Sequence, residues 1–561
     1  MDFYKGVDIS SLLEREENGL KLYTEDGEEC EALELCRLNG VNSIRLRIWN
    51  EPQLIEEAGG YCDLEHTVVF ARRIKAKGLH FLLDFHYSDF WADPGNQTKP
   101  AAWEQLGKEE LVRAVYDYTR AVLERLKEEQ CLPDMVQIGN EIRSGMLFPD
   151  GEVPNYEQLA KLVNAGIRAV RDVDAAVRVM IHLDQGGRYY YLKEWFDAML
   201  DAGMEQFDVI GLSYYPFWHG TFTDLKNSME ALVERYGKPI VLVEAAHPWR
   251  RSEGGFITEE QEKIAGFPAG IAEQSTVMRL LMNITASIKD QMGIGVYYWE
   301  PIVLPTKGHG GWGSNMGMLD LSGRPLPAFR EFLFDRTKLR QKDFAKIYDP
   351  EPVTVEQGAH LEMPETIDAL GYDGYKYPQQ VVWEPFLTEK CGVFRVKGHI
   401  AQLEEDIYAE IEVVQTLPQK INLMKNTDFS SDYENWMIVK RPDRLRMNID
   451  RSENCLEVDS QQNFFFAITQ EVRITQKGRY GLSVMYRGTN TTGVDVKLYG
   501  EQIVGEEIVR KEKNIYPTDD NWVKYDIVEI ELNKGTFIAG LEIKAPPVMG
   551  KIKEFSLYKM N

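Results

Sequence analysis

Eight short apolar runs, each followed by a segment of helical period, succeed one another from the start of the chain. The runs cover residues 4–10, 41–49, 80–87, 135–141, 177–184, 209–216, 239–246 and 295–301. The amphipathic stretches between them fall at 28–39, 64–77, 108–129, 156–172, 190–202, 224–236 and 272–291. An apolar run of that length, bounded by polar turns, is the pattern of a parallel strand buried on both faces. Strands repeated in alternation with helices predict an α/β fold, a (β/α)8 barrel with loop insertions. An open doubly wound sheet is the competing solution, but it wants a glycine-rich first turn, and Gly6-Val7-Asp8-Ile9-Ser10 offers none.

At 561 residues the chain exceeds what one core supports. The barrel is expected over 1–345. From about Tyr348 the pattern changes to short alternating strands punctuated by turns such as Gly371-Tyr372-Asp373-Gly374. Two all-β sandwich domains are expected there, at 350–416 and 420–561, separated by a linker around Leu417-Pro418.

A formal charge of −25 argues against nucleic acid or an anionic membrane as partner, and a neutral glycan is unaffected by it. Cys30, Cys36, Cys62, Cys131, Cys391 and Cys455 have no metal-site spacing and read as free thiols. With no basic n-region or apolar h-region near Met1, a cytoplasmic location is expected, or secretion if a leader was trimmed. Oligomeric state is left open.

In a barrel, polar residues at the strand C-termini converge on one mouth. Here they are Asp8; Arg45, Arg47 and Trp49; Asp84 and His86; Asn140 and Glu141; His182 and Asp184; Tyr214 and Tyr215; Glu244; and Trp299 and Glu300. Two glutamates close buried strands: Glu141 after Met135-Val136-Gln137-Ile138-Gly139-Asn140, and Glu244 after Pro239-Ile240-Val241-Leu242-Val243. Two such carboxyls are what glycoside hydrolysis needs, one to protonate the leaving oxygen and one to attack the anomeric carbon. An arginine beside one of them would split their pKa values, and Arg45 or Arg47 is placed to do so. Asn140 can bond a sugar 2-hydroxyl.

The Gly139-Asn140-Glu141 and Glu244 pair resembles the large clan of retaining barrel glycosidases. Several stretches resemble family 53 endo-β-1,4-galactanases in particular: 5–10 (KGVDIS), 43–50 (SIRLRIWN), 84–89 (DFHYSD) and 91–103 (WADPGNQTKPAAW). The likeness covers about residues 3–335. It implies a retaining, endo-acting hydrolase of β-1,4-galactosidic bonds in galactan or arabinogalactan, needing no cofactor. Glu141 would be the general acid/base and Glu244 the nucleophile. Arg47, Asp84, His86, Asn140, Tyr215 and Trp299 would surround them and bind substrate. Trp91, His219, Trp249 and Trp312 would line outer subsites.

Family members often carry calcium in the loop after strand seven. Here that loop, 245–255, has one glutamate and two arginines, so no metal is expected. The glycine-rich loop 305–312 is expected to be mobile or to approach sugar closely. Residues 353–414 resemble bacterial immunoglobulin-like spacers. Residues 421–561 resemble β-sandwich carbohydrate-binding modules, with Trp436, Tyr486, Trp522 and Phe464-Phe465-Phe466 as their large aromatics. Two other functional classes fit the same strands: a metal-dependent barrel hydrolase, for which the first strand lacks His-x-His, and a binding-only barrel.

Overall fold

A computed structural model describes residues 3–251, 257–304, 312, 315–340, 343–350, 352–415, 422–441, 445–459, 464–488, 495–504, 507–515, 522–545 and 549–560. The glycine-rich loop, apart from Trp312, and residues 252–256 lie outside these.

Eight strands close into a parallel barrel, with a short hairpin (Gly145–Met146 and Gly151–Glu152) outside it between the fourth and fifth. They are β1 (Tyr4–Asp8), β2 (Ser43–Ile48), β3 (His80–Phe85), β4 (Met135–Ile138), β5 (Arg178–Leu183), β6 (Val209–Ser213), β7 (Ile240–Ala245) and β8 (Gly293–Trp299), with β8 paired back onto β1. The outer helices are α1 (Ala32–Leu38), α2 (Leu64–Ala76), α3 (Lys108–Glu128), α4 (Tyr156–Val173), α5 (Tyr189–Asp201), α6 (Phe222–Tyr236) and α7 (Ile271–Ala286). Seven of the anticipated runs contain one of these strands whole, and the eighth overlaps a strand that begins two residues earlier, at Gly293. The strands stop one to three residues short of the anticipated ends, because the polar residues there turn out into the mouth.

Strand alternation sorts the side chains into two cores. Ile44, Leu46 and Ile48 of β2 face the helices, as do Phe81, Leu83 and Phe85 of β3 and Val136 and Ile138 of β4. Tyr4, Leu82, Met135, Met180, Val209, Val241, Val243, Ile294 and Tyr297 pack together inside the barrel and plug it. One step toward the C-terminal end stand Asp84, Gln137 and His182 on the same strands and Arg45 on β2, all fully buried. The barrel is therefore an apolar plug capped by a polar layer, and that layer is the floor of the mouth.

By packing, the chain divides into two units. The first holds the barrel and also 362–386 and 395–410. Its strands Phe344–Ile347, Thr366–Gly371 and Lys376–Gln380 form one sheet. That sheet is tied to α6 by Thr223 Oγ1 donating to Gly374 O at 2.7 Å and Tyr375 OH donating to Glu230 Oε2 at 2.9 Å. In the second unit, Val353–Glu356 pairs in parallel with residues 411–414. Beyond it, two five-stranded sheets built from residues 437–559 share one core. Phe466, Leu482, Leu498, Leu541, Phe555 and Leu557 are fully buried there.

Candidate active site

Two local irregularities bring the glutamates into the mouth. β4 ends at Ile138, and the chain turns at once: Gly139 has φ +79° and Glu141 itself φ +48°, leading into a 3-10 turn at Ile142–Ser144. A Cβ on Gly139 would lie 2.5 Å from Ile142 Cγ2, so glycine is required both by conformation and by space. The strand anticipated to run on to Glu141 instead breaks three residues earlier, and the break aims the carboxyl. On β7 the device is a β-bulge. The register with β6 jumps from Leu212–Leu242 to Ser213–Glu244, and the register with β8 shifts beside it. Val241 and Val243 face the barrel interior, so plain alternation would send Glu244 toward the helices. The extra residue returns it to the inner face.

Both carboxyls line one cleft of about 520 Å³, with Asp8, Arg45, Arg47, His86, Trp91, Ala92, Asp93, Asn140, Tyr215, Trp218, Trp299 and Trp312. Larger grooves exist on the second unit, but none of them holds the two strand-end glutamates. The chemistry therefore belongs to the smaller cleft.

Arg45 organises the floor. Its Nη1 lies 2.9 Å from both Asp8 Oδ2 and Glu244 Oε1. Its Nη2 donates to Asp84 Oδ2 at 2.8 Å and Asn140 Oδ1 at 2.9 Å. One guanidinium thus serves three buried carboxyls, and that balance decides where protons reside. Burial would raise Asp84, but Arg45 and His86 outweigh it and hold Asp84 below the ordinary carboxylate range. Asp8 is raised, because burial outweighs Arg45. Glu244 is pushed up by burial to about 7, with Arg45 opposing. Glu141 has no cation in direct contact among the described residues, and burial and the charge of Glu244 raise it well above its ordinary value. The contacts order the two carboxyls: Arg45 lies against Glu244 and favours its charged form, whereas Glu141 meets only the neutral Ser213 hydroxyl, so the shared proton is favoured on Glu141.

Neighbouring groups fix the orientation of the rest. His86 Nδ1 accepts from Ala92 N at 3.0 Å and Trp49 Nε1 at 3.3 Å, so its proton sits on Nε2, 3.1 Å from Asp84 Oδ2. Asn140 Nδ2 donates to Ala92 O at 2.8 Å. Tyr215 OH donates to Glu244 Oε2 at 3.3 Å, whereas Tyr214 OH donates to Gly220 O. Arg47 turns from the glutamates. It donates to Glu300 Oε1 at 3.0 Å and lies over the rings of Trp91 at 4.1 Å and Trp49 at 5.0 Å. Aromatic rings make the wall: Trp299 meets Trp312 edge-on at 4.4 Å and Trp91 at 5.8 Å.

Of the residues singled out from the sequence, Glu141, Glu244, Arg47, His86, Trp91, Asn140, Tyr215, Trp299 and Trp312 meet on the cleft. Asp84 lies beneath it, under Arg45. His219 is buried, its Nδ1 3.2 Å from Tyr215 N and 3.1 Å from Ser213 O, and Trp249 stacks with Arg250; neither lines the cleft. Arg251 of the same loop pairs with Glu262 at 2.9 Å. Arg45, Asp8 and Trp218 belong to the cleft although the sequence did not single them out as sugar contacts. Arg45 and Asp8 were legible as strand ends; Trp218 lies in the turn after β6 and carried no signal of its own.

Comparison with known proteins gives a consistent picture. The family model described as Glycosyl hydrolase family 53 matches residues 4–332. The probable arabinogalactan endo-beta-1,4-galactanase A of Aspergillus terreus is 38% identical over 307 residues, 53% of this chain and 85% of that protein. The endo-beta-1,4-galactanase of Bacillus subtilis is 31% identical over 378 residues, 59% of this chain and 86% of that protein. Among solved structures, the GH53 catalytic domain of Ignisphaera aggregans superposes with a TM-score of 0.56 at 41% identity, covering 59% of this chain and 95% of that one.

Proposed function

The chain belongs to glycosyl hydrolase family 53, and from that premise we propose that it is an endo-acting hydrolase of β-1,4-galactosidic bonds in galactan and arabinogalactan, working by a two-glutamate double displacement. The observation that carries the reading is the pair Glu141 and Glu244 on one cleft, Glu244 in contact with Arg45 and Glu141 with the neutral Ser213 hydroxyl.

Glu141 holds a proton and gives it to the departing glycosidic oxygen. Glu244, paired with Arg45, is the carboxylate that attacks the anomeric carbon, so the C–O bond to the leaving sugar breaks as the ester bond to Glu244 forms. Glu141, then ionised, takes a proton from water, and the resulting hydroxide equivalent releases the sugar from Glu244. Tyr215 and Arg45 hold the two oxygens of Glu244, so the attacking geometry exists before substrate arrives. Asn140, anchored through Ala92 O, offers its remaining amide hydrogen to the 2-hydroxyl. The Trp299, Trp312 and Trp91 wall supplies apolar faces to a neutral sugar ring.

The test is product analysis on β-1,4-galactan. Galactooligosaccharides released first as the β-anomer, followed by proton NMR, support the double displacement; first release of the α-anomer overturns it. Glu244→Gln is expected to lower kcat by several orders of magnitude with the fold intact. Undiminished turnover in that variant would remove the carboxylate from the chemistry.

A further inference from the structure

Beneath Glu141 runs a chain of buried polar groups that the reaction as described does not use: Gln137 on β4, His182 on β5 and Ser213 at the end of β6, all fully buried. We propose that this chain makes Ser213 a fixed hydrogen-bond donor to Glu141 Oε1, so that the transferable proton is carried by Oε2; the inference rests on the reading of Glu141 as the acid.

The direction of each bond follows from the one before it. Arg45 donates to Gln137 Oε1 from Nε at 3.3 Å and Nη2 at 3.2 Å, which fixes the amide with Nε2 pointing the other way. Gln137 Nε2 lies 2.6 Å from Asp84 Oδ1 and 2.9 Å from His182 Nδ1, with Gly139 O and Asn140 Oδ1 each at 3.1 Å. Its two nearest acceptors use its two hydrogens. His182 is neutral, since burial and Arg45 hold it well below its ordinary value. A neutral imidazole that accepts at Nδ1 carries its hydrogen on Nε2, 2.8 Å from Ser213 Oγ. The opposite tautomer would give Nδ1–H to Asn140 Oδ1 at 3.1 Å, but would set two donors face to face at 2.9 Å. Ser213 Oγ therefore receives from His182 and donates to Glu141 Oε1 at 2.5 Å.

Two consequences follow. Oε1 is occupied by a donor in both protonation states, so the acidic hydrogen resides on the other oxygen. The Ser213 bond also stabilises the carboxylate, opposing burial, Glu244 and Asp184, with Arg45 acting in the same sense as Ser213. Arg143 and Tyr215 are the other titratable groups facing it. Ser213 is thus a positioning residue: it opposes the rise in the pKa of Glu141, in the direction the same group needs to serve as base in the second step.

The experiment is the pH profile of kcat/KM on galactan for the full chain. Ser213→Ala is expected to move the alkaline limb up by about one pH unit, the usual effect of losing one good hydrogen bond to a carboxylate. Ser213→Thr keeps the hydroxyl and is expected to restore the limb to its original position. Ser213→Cys, nearly isosteric with a weak donor, is expected to raise it and serves if the alanine variant does not fold. Glu141→Gln separates the two readings. If that variant keeps the alkaline limb, Glu141 is not the acid and the functional reading fails. If it loses the limb while Ser213→Ala and Ser213→Cys leave theirs unmoved, the role given to Ser213 is overturned alone.

Discussion

Replacing Glu244 by glutamine should abolish turnover and, at alkaline pH, make the barrel more stable. The carboxyl is buried at the end of β7, and burial raises it from 4.5 to about 7 against the pull of Arg45. A group raised on folding stabilises the folded state fully below its unfolded value, and that contribution is lost as pH rises through the folded value. Below pH 4.5 both states of Glu244 are protonated and the substitution is expected to be near neutral. Above pH 7 the folded state must carry a charge that burial opposes, and about 2.5 pK differences at 1.36 kcal/mol each amount to about 3 kcal/mol. Glutamine keeps the shape and an oxygen for Arg45 while removing that charge. The gain of the variant over wild type should therefore grow by about 3 kcal/mol between pH 4.5 and 8.5. For a barrel of roughly 330 residues the unfolding entropy is about 0.7 kcal/mol/K, so the midpoint difference should widen by about 4 °C. Differential scanning calorimetry at the two pH values measures it. A difference that is flat with pH, or a variant less stable than wild type at pH 8.5, would refute the claim that burial dominates Arg45 at this site.

Further outcomes follow from the same floor. The kcat/KM profile should be bell-shaped: activity falls as pH drops through about 7, where Glu244 gains a proton, and falls again at alkaline pH as Glu141, raised by burial and by the charge of Glu244, loses its own. Arg45→Lys keeps one charge but cannot span Asp8, Asp84, Glu244 and Asn140 together; kcat should drop about a hundredfold and the acid limb should move up, measured on galactan. Arg45→Met leaves three carboxyls without their cation and should lose about 3–5 kcal/mol in denaturant unfolding. Trp299→Ala should cost about tenfold in kcat/KM with kcat less affected. On the second unit, the half-exposed Tyr433 borders a groove of about 790 Å³ with Arg446, Asn448, Glu457 and Asp459. If that module holds glycan, Tyr433→Ala should weaken retention in a galactan-containing gel while leaving hydrolysis of soluble substrate unchanged.

The barrel was legible because its evidence is repeated: each apolar run carries the same message, and the eight agree. The polar floor was legible in part: Asp84 and His182 follow Leu82 and Met180 by two residues and Arg45 stood out as a charge in an apolar run, whereas Gln137, two after Met135, was not singled out. What the sequence concealed are departures from that spacing. Nothing in Val241-Leu242-Val243-Glu244 announces the bulge, and by alternation alone Glu244 faces the wrong way. His219 and Trp249 sit in loops, where no periodicity predicts direction, and their placement away from the cleft was beyond pattern reading. Arg47 is separated from Arg45 by one turn of the pleat. Which of the two reaches a glutamate depends on barrel tilt, a property of the closed sheet rather than of any strand. In the second unit, Trp436 and Tyr486 are core, and Trp522 is flanked by Arg487 and Lys553; an exposed ring is instead presented by Tyr433.

The left-handed backbone at Glu141 makes this position unusually receptive to erasure. For most side chains that conformation is about 1–2 kcal/mol uphill, whereas glycine occupies it freely. Glu141→Gly would thus relax the main chain while opening a void beside Ser213, shaped for a small anion. Formate could then take over by diffusion the proton transfers of the tethered carboxyl, while azide would attack the anomeric carbon as its ester bond to Glu244 breaks, so that a barrel so emptied releases a galactosyl azide instead of a hydrolysed sugar.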